Sequence, residues 1–154
     1  DEAGMTEGFA HMQAIGMQTM ADDLEQALAV LRARAEVSGP VASIGYCMGG
    51  ALSYLLATRN CVDGAVCYYG GGIQDMLDAA VNVKGPMLLH YAQNDPYIPI
   101  EAVEKVSRAL DHSGADLHVY PDVTHGFNCW ARGSYNQQAA ALAHGRTLEF
   151  LAAL

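Results

Sequence analysis

Three side chains in this sequence have types that combine into acyl-transfer chemistry: Cys47, Asp95 and His125. A cysteine thiolate can attack a carbonyl carbon, an imidazole can move the proton, and a carboxylate can hold the imidazole tautomer and stabilise its charged form. Each residue alone has an ordinary explanation. Cys47 could be a structural cysteine in a Gly-rich turn, Asp95 a turn or cap residue, and His125-Gly126 a simple turn. The surroundings of Cys47 favour the chemical reading. Val41-Ala42-Ser43-Ile44-Gly45-Tyr46 is a short run rich in β-formers, Cys47-Met48-Gly49-Gly50 follows at once, and Ala51-Leu52-Ser53-Tyr54-Leu55-Leu56 continues as a helix. This is strand, very tight turn and helix with no loop between them. Glycines on both sides let strand and helix approach where a Cβ would collide. The helix N-terminus then points at the sulfur, favours the thiolate, and offers the Met48 backbone N–H as an oxyanion donor.

For the three residues to meet, each must sit at the same end of a sheet. The sequence places them so. After the strand at Cys47 and its helix to about Thr58, a buried strand runs Ala65–Tyr69 and ends at Gly70-Gly71-Gly72. A short helix (about 73–80) leads to a third strand, Met87–Tyr91, and the polar loop Gln93–Pro99 carries Asp95. A helix from about Ile100 to His112 precedes a fourth strand, Leu117–Tyr120, and the loop Asp122–Asn128 carries His125. A final helix covers about Tyr135 to Ala153. His90, in the third strand, reads as a satisfied core or interface histidine. Alternating strands and helices imply a mostly parallel sheet with helices on both faces, whose chemistry lies beyond the strands' carboxyl ends. Cys47, Asp95 and His125 each fall just past a strand. At the N-terminus, residues 1–11 read as loop or frayed end, and about Met12 to Ala35 as one helix. Its stripe of Met17, Met20, Leu24, Leu28, Leu31 and Ala35 would face the core.

Composition bounds the alternatives. The chain has 154 residues, 51% of them hydrophobic, which suits one globular domain over 1–154. A net charge of −9 argues against nucleic acid and anionic membranes as partners. The four cysteines show no C-x-x-C pair, so a zinc site is not expected, and they read as reduced thiols of a cytoplasmic protein. The chain opens Asp1-Glu2-Ala3-Gly4-Met5, which suggests a piece of a longer protein.

Cys47, then Asp95 48 residues on, then His125 30 residues after that, follow the chain order of α/β-hydrolase triads. The sequence resembles the dienelactone hydrolase family of that superfamily. The resemblance rests on Gly45-Tyr46-Cys47-Met48-Gly49-Gly50, Val66-Cys67-Tyr68-Tyr69-Gly70, Asn94-Asp95-Pro96-Tyr97-Ile98-Pro99, Tyr120-Pro121 through His125-Gly126-Phe127, and Arg146-Thr147-Leu148-Glu149-Phe150-Leu151. It implies an α/β-hydrolase-type sheet with the N-terminal strands missing from this chain, and with them a second oxyanion donor, a glutamate that partners the thiol and a substrate-binding arginine. It implies a Cys47-Asp95-His125 triad with no metal or organic cofactor, hydrolysing dienelactone to maleylacetate in the breakdown of aromatic compounds. The family's arginine after the histidine falls at Cys129 here, so Arg132 is the candidate substitute, with Phe127 and Tyr46 as further substrate-binding candidates. Competing readings are a carboxylesterase or thioesterase with another substrate, a non-catalytic binding or interaction protein on a truncated hydrolase scaffold, and, more weakly, a cysteine peptidase; separately, the missing strands would leave a sheet edge exposed for self-association.

Overall fold

The structure, a computed structural model, describes residues 2–154, with the side chain of residue 2 excepted. The described residues fall into two compact units, one ending at Ser38 and the other beginning at Gly39. The first is a pair of helices, α1 (Glu2–Ile15) and α2 (Met17–Arg32). The expected single helix is interrupted at Gly16, whose φ of 78° lies in the left-handed region and cannot continue a right-handed helix. The N-terminal segment is therefore helical where a loop was expected; Asp1 lies outside the described residues. The supposed core stripe of α2 is also corrected, because Leu24 and Leu31 are 38% and 42% exposed.

The second unit is a four-stranded sheet in the order β1 (Ala42–Tyr46), β2 (Gly64–Tyr68), β3 (Met87–Ala92) and β4 (Asp116–Tyr120). All three pairings are parallel, so every strand presents its carboxyl end at the same edge. β2 and β3 are buried at every position, which explains their near-continuous apolar reading. Between the strands lie α3 (Met48–Thr58), two 3₁₀ segments (Ile73–Asp75 and Leu77–Asn82) in place of the expected short helix, and α4 (Ile100–Leu110). The chain ends in α5 (Gln137–Ala152), capped by the Asn136 side chain, which accepts from Ala139 N–H at 3.0 Å.

Side-chain bonds show that α3 and α5 cover opposite faces. Ser43 of β1, the register partner of Ala65, meets Ser53 Oγ of α3 at 2.6 Å, whereas Tyr68, on the other face of β2, bonds Thr147 of α5 at 2.7 Å. The α5 face hides a polar chain. Arg146 Nη1 donates to Tyr120 Oη (3.1 Å), so that hydroxyl's own proton goes to His90 Nδ1 (2.9 Å). His90 Nε2–H then donates to Thr147 Oγ1 (3.1 Å). His90 is thus a satisfied core histidine; burial and then the charges of His118 and Arg146 push its pKa down to about 3, which keeps it neutral.

Candidate active site

The turn from β1 to α3 positions Cys47. Its φ of 56° and ψ of −120° are strained for a residue with a Cβ, and three backbone bonds hold it there. Its N–H donates to Tyr68 O at 3.0 Å, and its carbonyl accepts from Gly50 N (2.9 Å) and Ala51 N (3.3 Å). Such compression demands glycine at two flanks. A Cβ on Gly45 would lie 1.8 Å from the Gly49 carbonyl oxygen, and one on Gly50 would lie 2.7 Å from Tyr68 O. The sulfur is left exposed at the N-terminus of α3.

Asp95 and His125 arrive on loops tied to each other. Gln93 N–H donates to Tyr120 O (2.9 Å) and Asn94 N–H to Val123 O (3.0 Å), which joins the loop after β3 to the loop after β4. Asp95 Oδ1 accepts from Tyr97 N–H at 2.9 Å, fixing the carboxylate in its own turn, while Oδ2 meets His125 Nδ1 at 2.7 Å. Both residues are buried, at 6% and 9% exposure. With Nδ1 engaged, Nε2 is the nitrogen free for the thiol. The imidazole is further packed against Tyr69 (4.9 Å) and edge-on against Tyr97 (5.1 Å).

Electrostatics follow this geometry. Hydrogen bonding from His125 lowers the Cys47 pKa; burial opposes it, and the His125 charge, the Met48 N–H and Arg132 add to the lowering. For His125, burial disfavours the imidazolium, but bonds to Asp95 and Cys47 together with their charges outweigh it and raise its pKa to about 9. Cys67 differs: burial pushes its thiol up to about 12. The arrangement can hold a thiolate beside an imidazolium and pass a proton between that imidazole and a reacting group.

A cavity of about 470 Å³ opens over the sulfur, lined by Tyr46, Cys47, Tyr69, Gly126, Asn128, Cys129, Trp130 and Arg132. Tyr46 and Arg132, two of the substrate-binding candidates, line this cavity. Phe127 does not, and its assignment as a substrate contact is corrected: it is fully buried, edge-on to Tyr69 (5.4 Å) and against Tyr120 (5.0 Å). Gly126, with φ of 80°, turns the chain between the two neighbours and sends the Phe127 ring inward. The sequence reading missed Tyr69, Asn128 and Trp130, and took Cys129 only as a position. Tyr69 had a signal, since it directly follows a strand whose end faces Cys47. Among the described residues no group of His, Cys, Asp or Glu could hold a metal ion.

The sequence model of the dienelactone hydrolase family matches residues 1–154. The chain belongs to the dienelactone hydrolase family. A carboxymethylenebutenolidase of Pseudomonas putida is 34% identical over 155 residues, covering 100% of this chain and 66% of the relative. Carboxymethylenebutenolidase 1 of Cupriavidus pinatubonensis is 32% identical over 149 residues, covering 96% and 63% respectively. The dienelactone hydrolase family chain described here thus spans just under two thirds of these curated relatives. A Klebsiella pneumoniae crystal structure of a candidate dienelactone hydrolase superposes with a TM-score of 0.83 at 27% identity, covering 92% of this chain and 63% of that one. Its agreement bears out the parallel α/β-hydrolase-type sheet. Among the described residues no helix is long and apolar enough to cross a membrane.

Proposed function

We propose that Cys47, His125 and Asp95 act as the catalytic triad of a cysteine hydrolase that opens a lactone or cleaves a small ester. The observation that carries this reading is one imidazole whose Nδ1 lies 2.7 Å from the Asp95 carboxylate while its coupling to Cys47 lowers the pKa of the thiol. In the proposed cycle the thiolate attacks the carbonyl carbon, and the resulting oxyanion accepts the Met48 N–H. Collapse breaks the acyl–oxygen bond, and His125 gives its Nε2 proton to the departing oxygen. A lactone keeps that oxygen within the acyl-enzyme; an ester releases it as an alcohol. Water, deprotonated by His125, then attacks the thioester, and the thiolate leaves with the acid formed.

The Pseudomonas and Cupriavidus relatives carry the name carboxymethylenebutenolidase. Together with the family membership, that name supports dienelactone as the substrate proposed for this chain. Arg132 would then receive the substrate carboxylate. It is the one basic side chain among the cavity's lining residues. The alternative, a carboxylesterase for uncharged aryl esters, needs no such cation. Turnover of dienelactone and of phenyl acetate by the wild type, Cys47→Ala and Arg132→Gln separates these readings. We expect Cys47→Ala to leave neither activity above background. Arg132→Gln should raise KM for dienelactone about tenfold and leave phenyl acetate nearly unchanged, as loss of one charge-assisted hydrogen bond implies. Undiminished turnover in Cys47→Ala would defeat the triad, and equal effects of Arg132→Gln on both substrates would defeat the carboxylate role.

A further inference from the structure

Trp130 is the only tryptophan in the chain, lines the cavity above Cys47, and is 84% exposed. Single exposed apolar side chains are ordinary on protein surfaces, so it is the place of this one, at the cavity, that carries the argument. The loop that carries it is stitched by its own backbone: Cys129 N–H donates to Gly126 O (2.9 Å), Arg132 N–H to Cys129 O (3.0 Å), Tyr135 N–H to Arg132 O (3.0 Å) and Asn136 N–H to Phe127 O (3.0 Å). Trp130 is therefore presented at the cavity by a braced loop. Another aromatic residue of the lining has its ring held in place. Tyr46, 47% exposed, stacks on Tyr68 at 4.7 Å, and Tyr68 is anchored through its hydroxyl to Thr147 at 2.7 Å. Aromatic surfaces of this kind reward flat partners, because stacked or edge-on rings gain more than their area alone would give.

We infer that Trp130, with Tyr46, is the specificity-determining element of the cavity and selects a planar, unsaturated group over a saturated group of the same size and charge. This rests on the reading of Cys47 as the reacting centre, since it places the selected group in the cavity above that sulfur. It goes beyond that reading in naming what the cavity recognises and by which side chain. Trp130 becomes covered when the site is filled and reports the event through its fluorescence.

The test uses two monoanions of one size, planar benzoate and puckered cyclohexanecarboxylate, as ligands of the protein. Two readouts are taken: the Trp130 emission, and protection of Cys47 from iodoacetamide. Benzoate should change the emission saturably and protect Cys47 with a Kd about 2- to 10-fold below that of cyclohexanecarboxylate. Trp130→Leu, at an exposed position, should bring the two protection constants together. Tyr135→Leu alters an exposed aromatic of the same loop that is outside the lining, and should keep the preference. Equal constants in the wild type, a preference surviving in Trp130→Leu, or an emission indifferent to benzoate would each overturn the inference. The emission arm is repeated in Cys47→Ala. Binding seen there upholds Trp130 even if the nucleophile assignment falls, and a nucleophile confirmed without discrimination overturns Trp130 alone.

Discussion

Replacing Asp95 by Asn should uncouple the thiol from its histidine, and the size of the effect can be worked from the site. Asp95 Oδ2 lies 2.7 Å from His125 Nδ1, with both residues nearly buried, and the carboxylate helps raise His125 to about 9. Removing an opposite charge at this range typically moves a pKa by about 1–3 units. With a fall of about two units His125 goes from about 9 to about 7, so about half of it is uncharged at neutral pH, and the chief cause of the lowered Cys47 pKa weakens. The thiol pKa then rises, so less thiolate is present at neutral pH, and the greater basicity of what remains, with a slope of about 0.5, restores only part of the lost reactivity. The net expectation is a severalfold slower alkylation of Cys47 near pH 7, converging on the wild type in alkaline solution. Iodoacetamide labelling across pH, read by mass spectrometry of the Cys47 peptide, measures this directly. Cys67 is an internal control, because its full burial keeps it unlabelled in folded protein. A variant profile superimposable on that of the wild type would refute the coupling of the three residues.

Other expectations concern the scaffold. Gly45→Ala would drive a Cβ into the Gly49 carbonyl at 1.8 Å, contact between backbone atoms that no rotamer relieves, and should cost about 3 kcal/mol or more in urea unfolding. Gly49→Ala, where a Cβ meets nothing within 4 Å, should be tolerated far better. Thr147→Val leaves Tyr68 Oη and His90 Nε2 without their shared partner and should cost about 2–3 kcal/mol by the same measurement. His90 should also shape acid stability. Its folded pKa of about 3 lies below the unfolded value near 6.5, so the unfolded chain takes up the proton first and stability falls as pH drops through that window. The slope due to this residue should approach about 1.4 kcal/mol per pH unit and vanish in His90→Gln, as followed by unfolding between pH 6.5 and 4.

The parts of this molecule legible in its sequence are those where one local rule dominates. Gly45, Cys47 and Gly50 announce the turn because only that residue pattern allows strand and helix to approach so closely. The apolar runs around Val66 and Leu88 announce strands buried on both faces. Asp95 and His125 were readable because parallel strands bring all carboxyl ends to one edge, so position after a strand is already position in space. What failed depended on direction or on partners. Phe127 sits two residues from His125, but the left-handed turn at Gly126 sends its ring into the core. Leu24 and Leu31 have helical spacing, which fixes a face without naming its cover. The 3₁₀ turns from Ile73 to Asn82 have the composition of a helix but close after three residues and begin again, with Met76 between them at φ −124°. Trp130 was invisible as a cavity residue because nothing in its neighbours' types foretells the braced loop that presents it.

The central claim is that acyl transfer passes through the sulfur of Cys47, and trapping the acyl group tests it most directly. The protein would be mixed with excess activated aryl ester, quenched in acid within the first turnovers, digested and analysed by mass spectrometry. The account predicts the acyl mass on the peptide containing Cys47, with none on those of Cys61, Cys67 or Cys129. It also predicts that His125→Ala, which removes the base for the second step, slows both formation and loss of that adduct. Hydrolysis at an undiminished rate with no acyl group on Cys47, or an adduct on another residue that turns over while Cys47 stays free, would contradict it.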